Sequence, residues 1–149
     1  MLNRKLFFNK KQENQQLIPK TEHEQYLPTL RQCIQKQFSH CNIQCEDING
    51  SLWIKIKNGQ EMMGAIRIET EYDRGIIYRI RIKGLDVSVK YRKNGYATIL
   101  VELATYYAKE IRKTPRIVAM ARAGGGENAL TQEQLEAFYR KHVPGIELE

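Results

Sequence analysis

One segment of the chain carries most of the information about its structure: Val87-Ser88-Val89-Lys90-Tyr91-Arg92-Lys93-Asn94-Gly95-Tyr96-Ala97. The β-branched residues at its start predict a strand, a basic turn with a glycine follows, and the residues after Gly95 predict a long helix. The first N–H groups of a helix have no intrahelical acceptor, and the helix dipole is positive at that end. Lys90, Arg92 and Lys93 add positive charge there. The segment therefore predicts a turn that binds phosphate.

Two common phosphate-binding motifs are absent from the sequence. No G-x-x-x-x-G-K-[ST] occurs, which excludes a Walker A loop. The three glycines of G-x-G-x-x-G are also missing, which disfavours a dinucleotide-binding turn. The predicted site is therefore of another kind.

The residues after the turn predict a crossover to a parallel strand. Residues 95–113 form a helix whose apolar face contains Ile99, Leu100, Leu103, Ala104, Tyr107, Ala108 and Ile111. Pro115 ends the helix, and residues 116–122 predict a buried strand parallel to the one before the turn. We assign no phosphate-binding role to Gly124, Gly125 and Gly126.

The strand before the turn, residues 76–89, contains a break in its alternation. Its apolar residues occupy even positions and then odd ones: Tyr78, Ile80, Ile82, then Leu85, Val87, Val89. One extra residue near Lys83-Gly84 predicts a β-bulge that keeps both sets facing the core. The alternative is two separate strands, 76–82 and 84–89, joined by a tight turn.

Upstream, two Asn-Gly pairs predict an antiparallel meander. Asn49-Gly50 and Asn58-Gly59 suit type I′ turns, because both residues accept a positive φ. The strands are predicted at 43–48, 51–57 and 61–70, and a turn at Asp73-Arg74-Gly75 leads into the strand at 76–89.

Helices are predicted near both ends of this sheet. Apolar residues at helical spacing predict a helix from Glu22 to Phe38. Thr131-Gln132-Glu133-Gln134 is a capping-box start for a helix through about His142, and residues 146–148 predict a short strand. Residues 1–21 are polar and are interpreted as an N-terminal arm, which leaves 22–149 as one domain.

Composition limits the class of protein. The 149 residues carry a formal net charge of +7, which favours an anionic partner or a solvated basic face. No stretch is long enough to span a bilayer and no signal peptide is recognisable, so we expect a cytoplasmic protein. Cys33, Cys41 and Cys45 lack metal-ligand spacing, which predicts reduced thiols and no metal. We expect solvated roles for the three histidines: His23, His40 and His142.

The order Arg92-x-x-Gly95-x-Ala97 after a strand resembles the Q/R-x-x-G-x-G/A segment of the GNAT superfamily of N-acetyltransferases. The resemblance implies a mixed α/β fold: a central, mostly antiparallel sheet with splayed fourth and fifth strands, flanked by helices. It also implies acetyl-CoA as co-substrate. The matching coenzyme-binding positions are Val87, Ser88, Val89, Arg92, Lys93, Asn94, Gly95, Tyr96, Ala97 and Thr98.

The segment from Leu135 to Lys141 resembles the F/L-Y-x-K segment in the last helix of this family. The resemblance implies that Tyr139 is the proton donor to the leaving thiolate. The alternative is a tyrosine that only packs in the core. Gln132 stands where the family often has a coenzyme-binding asparagine.

The general base is the least defined part of the predicted site. Several family members carry a carboxylate on the fourth strand where this chain has Arg81. The remaining candidates are Asp86, Glu69, Glu71, Asp73 or a water relay.

The resemblance implies transfer of an acetyl group to a primary amine in a direct ternary complex. A small amine, a protein lysine or N-terminus, and aminoacyl-tRNA remain open as acceptors. One alternative is a coenzyme A-binding fold without catalysis. Another is a nucleic-acid-binding module that uses Arg79, Arg81, Lys83, Arg92 and Lys93. Family members usually supply a terminal pair of strands, so a homodimer is one way to cover the sheet edge.

Overall fold

The computed structural model describes residues 22–114, 116–126 and 128–149 of the chain. The predicted N-terminal arm and Pro115 lie outside these residues. Six strands form one mixed sheet in the order of the sequence. They are β1 (Asn42–Ile48), β2 (Ser51–Asn58), β3 (Glu61–Asp73), β4 (Ile76–Val87), β5 (Ile117–Ala119) and β6 (Glu147–Leu148). The predicted mixed α/β architecture is confirmed.

Three α-helices accompany the sheet, and each follows a predicted helical segment. They are α1 (Leu27–Gln37), which a 3₁₀ turn at Glu24–Tyr26 precedes, α2 (Tyr96–Tyr106) and α3 (Gln132–His142). A π-helical turn, Tyr107–Ile111, extends α2. The capping box of α3 is complete, because Thr131 Oγ1 accepts the N–H of Gln134 and the Gln134 side chain accepts the N–H of Thr131.

Tight turns connect the first four strands into a meander. Asn49 and Gly50 both have positive φ, 53° and 86°, as a type I′ turn requires. The second hairpin differs from its prediction, since Asn58 pairs with Glu61 inside the ladder and Gly59 is the residue with positive φ, at 63°. The Asn-Gly pair there lies one position too early, because the strand pairing continues through Asn58.

The predicted bulge in the fourth strand is present. Arg67 pairs with Gly84 and Ile68 pairs with Ile82, which leaves Lys83 as the extra residue of an otherwise continuous strand. The alternative with two separate strands is therefore wrong. The strand also ends two residues earlier than predicted, because Val89 begins a 3₁₀ turn at Val89–Tyr91 and is 45% exposed.

β4 and β5 are parallel and separate after three pairs. Ile80, Arg81 and Ile82 pair with residues 117–119, whereas β4 continues to Val87 without a partner on that side. β6 then pairs with β5, also in parallel. The predicted splay between the fourth and fifth strands is confirmed.

One face of the sheet carries the core. Rows of paired apolar side chains, such as Cys45, Ile54 and Ile66, pack against the buried side chains of all three helices. The approach is close at Gly64, where a Cβ would lie 3.3 Å from Leu100 Cδ1 of α2. The opposite face carries charged and polar side chains, including Lys55, Arg67 and Glu69.

Candidate active site

A cleft opens where β4 and β5 separate. Its volume is about 330 Å³. Its walls come from the end of β4, the turn before α2, the first turn of α2, the residues after β5 and one face of α3. In open α/β sheets, ligands bind outside the carboxyl ends of the strands, and this cleft lies at the carboxyl ends of two parallel strands.

One end of the cleft is built to bind an anion. Gly95 precedes the first turn of α2 with φ of 85°, and its carbonyl accepts the N–H of Ile99 at 3.2 Å. Within the described chain, the N–H groups of Tyr96, Ala97 and Thr98 have no acceptor. All three residues line the cleft. Their donors and the positive end of the helix dipole converge there.

Gly95 keeps this end open. No atom lies within 4 Å of a Cβ built on Gly95. The preceding residue shapes the turn, because Asn94 Nδ2 donates to the carbonyls of Tyr91 and Arg92, each at 3.1 Å. Asn94 does not line the cleft in the described chain, and its role in the structure is to hold the turn.

Three basic side chains surround the cleft: Arg92, Lys93 and Arg122. Arg92 Nε donates to the Val87 carbonyl at 2.9 Å, which ties the turn to the end of β4. Lys90 does not line the cleft, and its Nζ lies 3.0 Å from Glu61 Oε1. This ion pair lowers the pKa of Glu61 and raises that of Lys90.

The end of β4 presents one edge to the cleft. The N–H of Ser88 donates to the Met63 carbonyl at 2.8 Å, and Ser88 Oγ donates to the Met62 carbonyl at 2.7 Å. The N–H and the hydroxyl of Ser88 are thus both hydrogen-bonded to β3. Because successive residues of a strand direct their amides to opposite edges, the N–H of Val87 faces the cleft. Neither Ser88 nor Val89 lines the cleft.

Tyr139 lies behind the cleft wall that Leu135 and Phe138 form. Only 2% of Tyr139 is exposed, and burial raises its pKa to about 12. In the described residues, the one fully buried side-chain polar atom without a partner is Arg112 Nε. The Tyr139 hydroxyl has no hydrogen bond to a described residue, and Tyr139 itself does not line the cleft. The phenol keeps its proton at neutral pH, as a proton donor must.

Gln132 supports the cleft wall that the residues after β5 form. Its Oε1 accepts the N–H of Ala123 at 2.9 Å, and its Nε2 donates to the Ala121 carbonyl and, at 3.0 Å, to Glu136 Oε2. Gln132 does not line the cleft, although Arg122 and Ala123 do. The structure therefore places Gln132 in support of the residues after β5.

Of the candidate bases, Asp86 lines the cleft. Glu69 accepts hydrogen bonds from Ser51 Oγ at 3.1 Å and from Arg67 at 2.8 Å, on the polar face of the sheet. Glu71 is held by Arg81 and Arg79, which lower its pKa. Asp73 is exposed at the end of the β3–β4 hairpin, where it pairs with Ile76.

Arg81 has a guanidinium group, which cannot act as a carboxylate base. It is 9% exposed and is bonded by both Glu71 and Glu149. Arg79 shares the same two carboxylates, and Lys83 Nζ lies 3.9 Å from Glu69 Oε2. Two of the cations named for a nucleic-acid-binding module, Arg79 and Arg81, are thus paired with two carboxylates, which weakens that alternative.

Sequence reasoning missed one wall of the cleft. Arg122, Ala123, Gly124 and Gly125 line it, although the glycines were given no role. The available signal was the parallel strand itself, because residues just after a parallel strand line the ligand crevice of such sheets. Phe138, beside the predicted Tyr139, also lines the cleft without having been predicted, as do Asn128, Ala129 and Leu130.

His23 corrects a prediction of solvent exposure. The side chain is fully buried, with Nε2 at 3.1 Å from the Gly50 carbonyl and Nδ1 at 2.6 Å from Tyr107 Oη. Nε2 must donate to the carbonyl, so Nδ1 accepts the Tyr107 hydroxyl proton. The partners lie far away in the sequence, and the polar neighbours of His23 gave no sign of them. His40 is exposed, as predicted, and His142 is partly buried.

Comparisons with known proteins agree with this architecture. The family model described as the acetyltransferase (GNAT) family matches residues 12–142. A search among curated proteins returned no significant match. No helix in the described ranges is long and apolar enough to cross a membrane.

Solved structures with a similar chain path include three acetyltransferases. A ribosomal-protein-alanine N-acetyltransferase from Brucella melitensis biovar Abortus 2308 has 13% identity and a TM-score of 0.49, with 64% of each chain covered. An aminoglycoside acetyltransferase from an uncultured soil metagenomic sample has 20% identity and a TM-score of 0.47, over 64% of this chain and 59% of that one. Another aminoglycoside acetyltransferase from such a sample, in complex with trehalose, has 14% identity and a TM-score of 0.49, over 79% of each. The chain spans less than two thirds of the length of the first two.

Proposed function

Because the chain belongs to the acetyltransferase (GNAT) family, we propose that it transfers the acetyl group of acetyl-CoA to a primary amine in the cleft between β4 and β5. The observation that carries this proposal is the anion-binding end of the cleft. The N–H groups of Tyr96, Ala97 and Thr98 converge beside an open Gly95. These donors fit a diphosphate, and Lys93, Arg92 and Arg122 supply the compensating charge.

The coenzyme arm then runs along the splayed edge of β4. The N–H of Val87 faces the cleft there and is placed to donate to a carbonyl oxygen. Acetyl-CoA supplies an activated acetyl group when it is bound. A backbone donor fixed in a strand stabilises negative charge that develops on the thioester oxygen, with no cost of reorganisation.

Proton transfers complete the reaction. An alkyl ammonium group has a pKa of about 10.4 and must lose a proton before its nitrogen attacks. Asp86 lies at the cleft and accepts this proton, directly or through water, while Tyr139 donates a proton to the leaving thiolate. The new carbon–nitrogen bond forms as the carbon–sulfur bond breaks, in one ternary complex.

The test is acetyl-dependent thiol release with a pool of acceptors: small amines, peptides with free N-termini, lysine peptides and aminoacyl-tRNA. We expect thiol release that requires an acceptor and is lost in Gly95→Trp, whose indole would enter the cleft. Binding of acetyl-CoA with no thiol release from any acceptor would instead establish a binding protein without catalysis. A protein that neither binds acetyl-CoA nor releases thiol would overturn the proposal.

A further inference from the structure

The polar face of the sheet meets the cleft at Asp86. Asp86 pairs with Ala65, and Gly84, two residues earlier on the same face, pairs with Arg67. Asp86 also lines the cleft. An acceptor amine that approaches Asp86 from outside the core therefore crosses this part of the face.

The surface beside Asp86 is open at Gly84. Gly84 is exposed, and no atom lies within 4 Å of a Cβ built on it. Trp53 pairs with Arg67 on the same face, with the guanidinium of Arg67 and the ammonium of Lys55 each 5.8 Å from its ring centre. The surface around Gly84, Arg67 and Trp53 is therefore shallow and accessible, and it adjoins the end of the cleft where the reaction is proposed. This surface is called the bed below.

The bulge adds a second cation to this bed. Lys83 is the extra residue of β4, and its Nζ lies 3.9 Å from Glu69 Oε2, which places Lys83 on the same face as Arg67. Arg67 also binds Glu69, at 2.8 Å. Two cations thus share one carboxylate, and the pair keeps a net positive charge.

Asp86 carries the opposite charge. Within the described residues, its side chain has no hydrogen bond or ion pair. Arg67 and Asp86 are diagonal neighbours of two paired strands, whose Cα atoms are about 7–8 Å apart. The bed therefore presents a negative group beside the cleft and a net positive group one row away.

We infer that the acceptor carries an anionic group close to its primary amine. The ammonium end lies at Asp86, and a carboxylate or phosphate a few ångströms away lies at Arg67 and Lys83. The same cations repel an acceptor with a second positive charge, which disfavours polyamines. This inference rests on the proposed function and adds the class of acceptor.

The test compares acceptors that differ in one charge. The first set is γ-aminobutyrate, its neutral amide and putrescine, which have the same chain length. The second set is Ala-Glu-Ala, Ala-Gln-Ala and Ala-Lys-Ala, each with a C-terminal amide. We expect kcat/KM for the acidic member to exceed that of the neutral member about fivefold, the most that an exposed ion pair contributes, with the basic member lowest.

Variants assign this preference to the bed. Arg67→Gln and Lys83→Gln should each reduce the acid-to-neutral ratio, whereas Arg67→Lys should keep it near that of the wild type. The ratio is the readout, because a change common to both acceptors cancels in it. Arg116→Gln is the matched control, because Arg116 binds Glu147 at 2.8 Å on the far strands of the sheet. Its ratio should equal that of the wild type.

The outcomes separate this inference from the proposed function. A preference for the neutral or basic members, or an acidic preference that survives in the Arg67→Gln/Lys83→Gln double variant, would overturn the inference. So would a protein that binds acetyl-CoA and acetylates no member of either set. A protein that does not bind acetyl-CoA would overturn the proposed function, and the inference with it.

Discussion

At the scale of single residues, the surroundings of a side chain decide what its chemistry can be. Tyr139 is 2% exposed, and its hydroxyl has no hydrogen bond to a described residue. A core tyrosine normally satisfies its hydroxyl, because an unpaired buried hydroxyl costs free energy. The unpaired hydroxyl supports the proposed role of Tyr139 as a proton donor.

Removal of this hydroxyl tests the role. In Tyr139→Phe we expect kcat to fall about 10²-fold or more, the range of a positioned general acid, with an unchanged KM for acetyl-CoA. The melting temperature should change little, because no protein hydrogen bond is lost. Phe138→Leu, one residue away in the cleft wall, serves as the control for packing. An undiminished kcat in Tyr139→Phe would show that the thiolate takes its proton elsewhere.

His23 makes a second prediction at this scale, about stability. Burial, as the largest cause, lowers its pKa below the ordinary value, despite the nearby Glu22 and Asp47. The unfolded chain therefore binds the proton more readily, so this contribution to stability is complete above about pH 6.5 and declines as the pH falls below it. The slope is at most about 1.4 kcal/mol per pH unit.

Thermal unfolding between pH 7.5 and 5 measures this effect. The wild type and the exposed-site control His40→Gln should lose stability in parallel. His23→Gln should be less stable at pH 7.5 and should have a flatter profile, because its amide can donate to Gly50 and accept from Tyr107 without titrating. A wild-type profile that is flat over this range would contradict the burial of a neutral His23.

At the scale of elements, the bulge at Lys83 lets β4 serve both the core and the cleft. It changes the parity of the strand, so Ile80 and Ile82 lie on the core face before it and Leu85 and Val87 after it. It also directs Asp86 to the polar face. If the same sequence paired without the bulge, Leu85 and Val87 would turn to the polar face and Asp86 to the core.

Deletion of Lys83 tests the bulge. We expect the free energy of unfolding to change by less than about 1 kcal/mol, since Gly84 would follow Ile82 directly, keep its pairing with Arg67 and leave Leu85 and Val87 on the core face. Lys83→Ala keeps the chain length and the bulge and should stay equally close to the wild type. Chemical denaturation compares the two variants, and a loss of about 3 kcal/mol in the deletion variant alone would show that β4 depends on the extra residue.

The elements also show how far the sequence could be interpreted. Alternation, turn residues and the capping box are local signals, and they predicted all three helices, the meander, the bulge and the parallel fifth strand. The predicted coenzyme positions Gly95, Tyr96, Ala97 and Thr98 all line the cleft, since a helix start is a local feature that the sequence reveals. Ser88 and Gln132 do not line it, because the partners of their polar groups, Met62 and Ala121, depend on tertiary packing.

At the scale of the whole molecule, the sheet separates two tasks. Its apolar face binds the helices and fixes the splay of β4 and β5, while its polar face carries a ladder of ion pairs that ends at Asp86. The basic charge of the chain suggested a nucleic-acid partner, yet Arg79 and Arg81 are bound by carboxylates on this face. Net charge could not reveal that pairing, because the partners come from different strands.

The central claim is that the cleft at the start of α2 holds acetyl-CoA, and a thermal-shift titration tests it most directly. A ligand that binds only the folded state raises the melting temperature, by about 5–10 °C at a hundredfold excess over Kd. ATP and NAD are the anionic controls. Gly75→Trp is the matched variant, since Gly75 has a similar φ of 80° in a distant hairpin and equally open space. We predict a shift specific to acetyl-CoA that Gly75→Trp keeps and Gly95→Trp loses. No shift, an equal shift with all three ligands, or a full shift in Gly95→Trp would contradict the account.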